Sequence, residues 1–301
     1  MTDVPNPRLR AFSATLHEPL HGTATSPRTL VVHRRVRIGD APAGPPHAPG
    51  RAVWVVDPVR RVELPYWIDA DEERAIERVL TDGDIPSDRV VRQSLVNAGI
   101  LHDPAATAAE RRRLARRMAT SRARLVSHGY MAFVDLLPAV FVAALRRYLR
   151  FLVEEGHLPL GDTQVPQRYF KHNEPLAVWL QQRIAPLVAR AVSRPIKPSY
   201  NYTIAYVEGA SLGRHTDREQ CEYTLALAID STPDATREQA WPLYLESEAD
   251  GGVVAVRLAP GDALLFRGRE LLHFRDELGP GRTATSVLFH FVNEEFQGVL
   301  D

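Results

Sequence analysis

The stretch "SLGRHTDREQCEYTLAL", residues 211–227, sets a histidine and an aspartate two positions apart inside apolar, β-prone sequence. In an extended strand, residues i and i+2 point to one face, so His215 and Asp217 project together while Thr216 points away. Two potential metal ligands then share a surface. The spacing alone fits equally an ordinary ion pair, of the two with each other or with Arg214 or Arg218, so the surroundings decide.

Those surroundings are short strand candidates. "PSYNYTIAYV" (198–207), "CEYTLALAID" (221–230), "WPLYLES" (241–247), "GVVAVRLA" (252–259), "DALLFRG" (262–268) and "RTATSVLFHFV" (282–292) are separated by turn-rich pieces such as "VEGASLG", "EADGG" and "ELGPG". Six such segments within roughly 100 residues predict an antiparallel all-β unit, a sandwich or a jelly roll. Ahead of them "YMAFVDLL" (130–137) reads as a strand. "PAVFVAALRRYLRFLVEEG" (138–156) reads as a helix opening at a proline and closing at Gly156. "EPLAVWLQQRIAPLVARAV" (174–192) reads as a helix capped by Asn173 and kinked at Pro186.

The first third of the chain has a different pattern. Residues 1–27 show no sustained period and are expected to be partly disordered or draped on the surface. "TLVVHRRVRI" (29–38) and "AVWVVDPVRRVEL" (52–64) each predict a strand, and "GDAPAGPPHAPG" between them a loop. "DADEERAIERVL" (69–80) predicts a short amphipathic helix, and "SDRVVRQSLVNAGIL" (87–101) another, capped by Ser87 and stopped at Gly99. A third helix, "TAAERRRLARRMATSRARLV" (107–126), carries Arg111, Arg112, Arg113, Arg116, Arg117, Arg122 and Arg124. Clustered on one face these would suit phosphates or an acidic leader peptide; otherwise they form the solvated side of a helix whose narrow apolar stripe is Leu114, Met118 and Leu125. The expected organisation is an N-terminal segment 1–27, a small α+β accessory region 28–127 and a β-rich domain 128–301.

Composition bounds the function. Lysine plus arginine and aspartate plus glutamate both number 37 in 301 residues, so no global field draws nucleic acid or an anionic membrane. The single cysteine, Cys221, cannot form an intramolecular disulfide, and no cysteine cluster offers a zinc or iron–sulfur site. The amino terminus lacks the apolar core of a signal peptide, and no run approaches the roughly 18 apolar residues of a membrane span. The expectation is a soluble, cytoplasmic protein.

Within the β-rich domain the first pair acquires company. His273 lies 56 residues after Asp217, just beyond "GDALLFRG", and Arg282 follows it by nine. Two histidines and one carboxylate are the facial triad of non-heme iron(II) sites, which bind one side of the metal and leave the other positions open.

At this point the sequence resembles the 2-oxoglutarate and iron(II)-dependent oxygenases, most closely the prolyl-4-hydroxylase-like branch. The block "AYVEGASLGRHTD" supplies Tyr206, Gly209, His215 and Asp217 in the branch's register, and "GGVVAVRLAPGDALLFRGRELLHF" is similar to its later block, which ends on the distal histidine. The resemblance spans "YMAFVDLLPAVF" to "SVLFHFVNE", more than half of the chain. It implies an α+β fold with a double-stranded β-helix core, jelly-roll or cupin-like, with packing helices and a smaller α+β region in front. It implies Fe(II) held by His215, Asp217 and His273, with 2-oxoglutarate as co-substrate and O2 as oxidant. Arg282 would hold the distal carboxylate of 2-oxoglutarate, where many members of the branch carry lysine, and Tyr206 would line the co-substrate pocket. Arg275 competes for that role but fits a substrate contact better; Arg168 and Arg218 are further substrate candidates. Cys221 reads as a small core residue, His290 as packed in the core or exposed on the last strand, and His128 and His157 as turn or helix-end residues.

The implied activity is hydroxylation of an unactivated carbon of a small molecule, amino acid or peptide side chain, with 2-oxoglutarate decarboxylated to succinate. Asp217 argues against a halogenase, in which a small residue replaces the carboxylate ligand. Two alternatives stand beside it: a non-catalytic jelly-roll module that binds metal or ligand and recognises a peptide or carrier protein, and a zinc hydrolase, for which no HExxH signature is present. The N-terminal region could hold a peptide or carrier protein, act as a lid or mediate dimerisation. Substrate identity and oligomeric state are open from sequence.

Overall fold

The structure, a computed structural model, describes residues 29–40, 51–68 and 70–300, with Trp67 described in its backbone alone. The segment 1–27 and most of the proline-rich loop lie outside the described residues. The chain divides into two compact units, Met1–Arg116 with Leu137–Tyr148 and Arg117–Leu136 with Leu149–Asp301.

In the first unit β1 (Val31–Val32) pairs with β5 (Leu101–His102), and β2 (Val36–Asp40), β3 (Arg51–Val56) and β4 (Glu63–Ile68) form an antiparallel sheet in that order. The stretch 52–64, expected as one strand, is instead a hairpin with its turn at Asp57-Pro58. The Asp57 carboxylate accepts from the backbone N–H groups of Val59 and Arg60, and Arg61 takes the left-handed conformation at φ 66°. A short acid before proline offers the backbone this local turn, and strand propensity on either side hides it. Three helices follow: α1 (Ala70–Asp82), α2 (Arg89–Asn97) and α3 (Pro104–His128). The cap of α2 is Asp88, not Ser87: its carboxylate accepts from Val90 N at 2.8 Å and Val91 N at 2.9 Å. Asp103 does the same for α3, whose first residue is Pro104. On α3, Arg111 donates to the Pro58 carbonyl, and Arg113 and Arg124 pair with Glu110 and Asp250.

The second unit is a pair of antiparallel sheets. The larger runs β6 (Tyr130–Phe133), β13 (Ala263–Phe266), β10 (Tyr223–Thr232), β15 (Thr283–Asn293), β8 (Ile196–Tyr206), β7 (Arg168–His172); the smaller runs β12 (Gly252–Val256), β11 (Leu243–Ser247), β14 (His273–Arg275), β9 (Leu212–His215). Alternation assigns the faces. Phe289 and Phe291 of β15 are fully buried, while Leu288 and His290, which alternate with them, line a cavity in the second unit. Side chains from both sheets, among them Ala226, Leu243, Leu245, Leu264 and Phe266, form one apolar cluster, and Ile204, Tyr206, Leu212 and Leu278 form another. Each fully buried side chain of this size contributes about 1.5–3 kcal/mol.

Helix α4 (Ala139–Glu154) crosses the division between the units, and α5 (Pro175–Val192) backs the larger sheet. Leu176, Leu180, Ile184, Leu187 and Val188 of α5 are buried, and Gln181 donates to the carbonyls of Tyr200 and His290 at 2.9 and 2.8 Å. The α5 cap is Glu174, which accepts from Ala177 N at 2.8 Å, not Asn173; the Asn173 side chain instead accepts from Asn201 N. The helix continues through Pro186. No helix among the described residues is long and apolar enough to cross a membrane.

Candidate metal centre

His215 ends β9 and His273 begins β14, and the two are direct partners in the antiparallel register with ring centroids 4.3 Å apart. Each ring is fixed from behind. Nδ1 of His215 donates to the Gly213 carbonyl at 2.9 Å and Nδ1 of His273 to the Leu271 carbonyl at 3.0 Å. A carbonyl oxygen only accepts, so Nδ1 of each ring carries a proton, and in the neutral imidazole that leaves Nε2 as the atom able to ligate a metal.

Asp217 joins them differently from the simple i, i+2 alternation of one strand. β9 stops at His215, and Asp217 lies beyond it, its N–H donating to the Gly268 carbonyl at 2.8 Å. Its Oδ1 is 3.8 Å from His215 Nε2 and 3.5 Å from His273 Nε2, and one donor atom from each residue falls within 4.8 Å of the others. Donors so spaced can share one ion about 2 Å from each. The ordinary ion-pair alternative loses one of its partners, since Arg214 pairs with Glu246 and stacks over the Phe274 ring.

Protonation states suit the same purpose. Burial alone would raise the Asp217 carboxyl, but the His273 and His290 imidazoles and the Thr224 hydroxyl outweigh it and hold it at about 2. Burial, then the neighbouring His273, pushes the His215 imidazole below its ordinary value. One carboxylate oxygen and two imidazole nitrogens form a donor set that fits iron(II) and related divalent ions.

The three side chains open into a cavity of about 260 Å³ in the second unit, also lined by Tyr206, Arg168, Arg218 and Arg275. His172, Tyr200 and Tyr202 form an aromatic wall, with centroids 4.8 Å apart for the first pair and 6.2 Å between His172 and Tyr202. Arg168 is buried, but its charge is matched: Nε donates to Asp162 at 2.8 Å, a guanidinium nitrogen to the Tyr206 hydroxyl at 3.1 Å, and Tyr202 donates to the same Asp162 oxygen at 2.8 Å.

Arg275 differs. It donates to the Trp241 carbonyl at 2.9 Å and lies 4.5 Å over the Trp241 ring, and among the described residues no carboxylate is within ion-pair distance of it. Burial pushes its pKa below the ordinary value. Arg282, expected to reach the same space, does not line this cavity. It is bonded to the Gln239 carbonyl at 2.8 Å and borders a smaller recess of about 30 Å³ that it shares with Trp241 and Arg275. Arg275 lines both spaces.

Sequence reasoning missed Thr224, Asp162 and Gly268 and assigned His290 to core packing or exposure. Thr224 Oγ1 lies 2.5 Å from Asp217 Oδ2 and 3.0 Å from His290 Nδ1. Burial lowers the His290 pKa to about 4, which keeps the ring neutral. Cys221 is buried, as expected of a small core residue, with its thiol pushed up to about 12.

No family model matches the sequence, and no curated protein matches it. Solved structures do. SnoN, a non-heme alpha ketoglutarate dependent epimerase from nogalamycin biosynthesis, aligns at 15% identity and a TM-score of 0.50 over 60% of this chain and 82% of its own. The shared fold is the double-stranded β-helix. AviO1 from Streptomyces viridochromogenes aligns at 18% identity with a TM-score of 0.49 over 60% of this chain and 97% of its own. A prolyl-4-hydroxylase from Pseudomonas putida aligns at 20% identity with a TM-score of 0.48 over 59% and 99%. At these identities the likeness is one of fold, and fold alone does not fix chemistry.

Proposed function

We propose that this protein is an Fe(II)- and 2-oxoglutarate-dependent oxygenase that hydroxylates an unactivated carbon of a small molecule, amino acid or peptide side chain. The observation that carries the reading is the convergence of His215 Nε2, His273 Nε2 and Asp217 Oδ1 at the wall of one cavity. Iron(II) held there would activate O2 as the oxidant, with 2-oxoglutarate supplying two of its electrons and becoming succinate and CO2.

The chain's own residues bind and orient. His215, Asp217 and His273 hold the metal from one side and leave its other positions to ligands. Arg275 takes the distal carboxylate of 2-oxoglutarate in place of Arg282, because it lines the cavity with no carboxylate within ion-pair distance among the described residues, and a guanidinium grips a carboxylate through paired hydrogen bonds. Tyr206 and Arg168 shape the wall beside it; Arg168, matched by Asp162, adds directed donors without net charge. Arg218 and the aromatic wall of His172, Tyr200 and Tyr202 meet the substrate. Residues 128–301 form the catalytic domain. A carrier- or peptide-binding role for residues 28–127 finds no support among the described residues.

The test is succinate formation from 2-oxoglutarate by the iron-reconstituted protein, with and without O2, across a panel of small molecules, amino acids and peptides. Oxygen-dependent succinate stimulated by one substrate class supports the reading. Arg275→Met should raise KM for 2-oxoglutarate at least about tenfold, since a hydrogen bond to a charged group contributes about 1.5–3 kcal/mol, and Arg282→Met should leave it near wild type. No turnover across the panel would favour the non-catalytic module, and activity with zinc but not iron the hydrolase.

A further inference from the structure

The two oxygens of Asp217 stand in different surroundings. Oδ1 faces Nε2 of both imidazoles. Oδ2 is turned away and closed in: Thr224 Oγ1 lies 2.5 Å from it, and Gly268 packs against both atoms. A methyl group on Gly268 would overlap Oδ2 and come within 2.6 Å of the Cys221 carbonyl oxygen and 2.7 Å of Thr224 Oγ1. Nothing larger than a hydrogen fits there.

Thr224 has a single hydroxyl hydrogen. An ionised carboxylate only accepts, so that hydrogen goes to Asp217, and the contact with His290 must run the other way, Nδ1–H donating to Thr224 Oγ1 at 3.0 Å. Register makes the contact possible. Thr224 and His290 are direct partners across β10 and β15, and the His290 carbonyl is held in turn by Gln181 of α5. A chain of donors therefore runs from the larger sheet into the candidate metal centre: His290 to Thr224 to Asp217 Oδ2.

Resting on the metal-site reading above, we infer that Thr224 and His290 are positioning residues that keep Asp217 a one-oxygen ligand. An occupied Oδ2 cannot swing round to chelate the ion, so a position that a two-oxygen carboxylate would take stays open for other ligands. Hydrogen bonds in series polarise one another, so the imidazole strengthens the threonine's grip.

Co(II) binding to the metal-free full-length protein, followed by calorimetry and ligand-field absorption, tests this without turnover. Wild type should bind one Co(II) and His215→Ala none; absence of binding in wild type would sink the metal-site reading. With wild-type binding in hand, Thr224→Val should weaken Co(II) by about 10- to 100-fold, as loss of an outer-shell partner does, and should change the absorption band as the carboxylate becomes free to chelate. Thr224→Ser restores the hydroxyl and should restore both. His290→Asn places an amide N–H near the former Nδ1 and should behave like wild type, whereas His290→Leu should follow Thr224→Val. If Thr224→Val does not fold, the His290 pair carries the test. Wild-type affinity and spectrum in Thr224→Val, or equal losses in the valine and serine variants, overturn the inference; wild-type behaviour of His290→Leu removes His290 from it.

Discussion

The strands of the second unit differ sharply in length and in what they carry. β8 and β15 run 11 residues each and β10 runs 10, and their buried side chains build the core. β9 and β14, which hold the two histidines, run four and three. The long strands are fixed by burial of most of their residues. The short ones are fixed by pairing with each other and by single hydrogen bonds from each imidazole to its own backbone. Stability and metal binding should therefore separate by mutation: the buried apolar side chains of the long strands determine whether the protein folds, and the metal donors, two of them on the short strands, whether it binds.

The sharpest separation is expected at His215. His215→Ala should abolish iron-dependent turnover while leaving circular dichroism and the melting temperature close to wild type, because the side chain is only partly buried and ends a short strand. Full turnover in that variant would break the assignment. The mirror experiment is Phe289→Ala in β15, where a fully buried ring that does not line the cavity is removed. It should cost about 3–5 kcal/mol in denaturant unfolding, with metal affinity unchanged in the molecules that remain folded.

A smaller effect sharpens the comparison at the cavity wall. Asp162 pairs with Arg168, both nearly inaccessible, with side chains 8% and 4% exposed. Burial opposes the Asp162 charge, but the Val165 N–H, the Arg168 guanidinium and the Tyr202 hydroxyl outweigh it and hold its pKa below the ordinary carboxylate value. A carboxyl lowered in the folded state stabilises above its unfolded pKa, near 4, and that contribution is lost as pH falls through the folded value. Asp162→Asn should cost about 3 kcal/mol at pH 7, and the gap from wild type should shrink on acidification below about pH 4. A gap independent of pH would show that the charge is not what matters.

The length contrast also decides how much the sequence reveals. The long strands announce themselves through sustained alternation and bulky apolar residues, and each of the six segments expected between 198 and 292 overlaps one observed strand, with β8, β10 and β15 running one or two residues past the expected bounds. β7, β9 and β14 were not legible, because three to five residues give too little alternation to read. The histidines were found instead through residue type and spacing within the two resembling blocks. Thr224 and His290 could not be found that way, since they meet through the register of β10 and β15, which no local pattern encodes. The same limit explains Arg275 and Arg282. Both lie in the right interval of sequence, and only the packing around Trp241 puts one in the cavity and leaves the other bonded outside it.

Soaking crystals with Mn(II) and 2-oxoglutarate and locating the ion by its anomalous scattering tests the central claim most directly. One ion about 2 Å from Nε2 of His215, Nε2 of His273 and Oδ1 of Asp217 is the predicted result. An ion bound elsewhere, or those three donors pointing apart around it, would contradict the account.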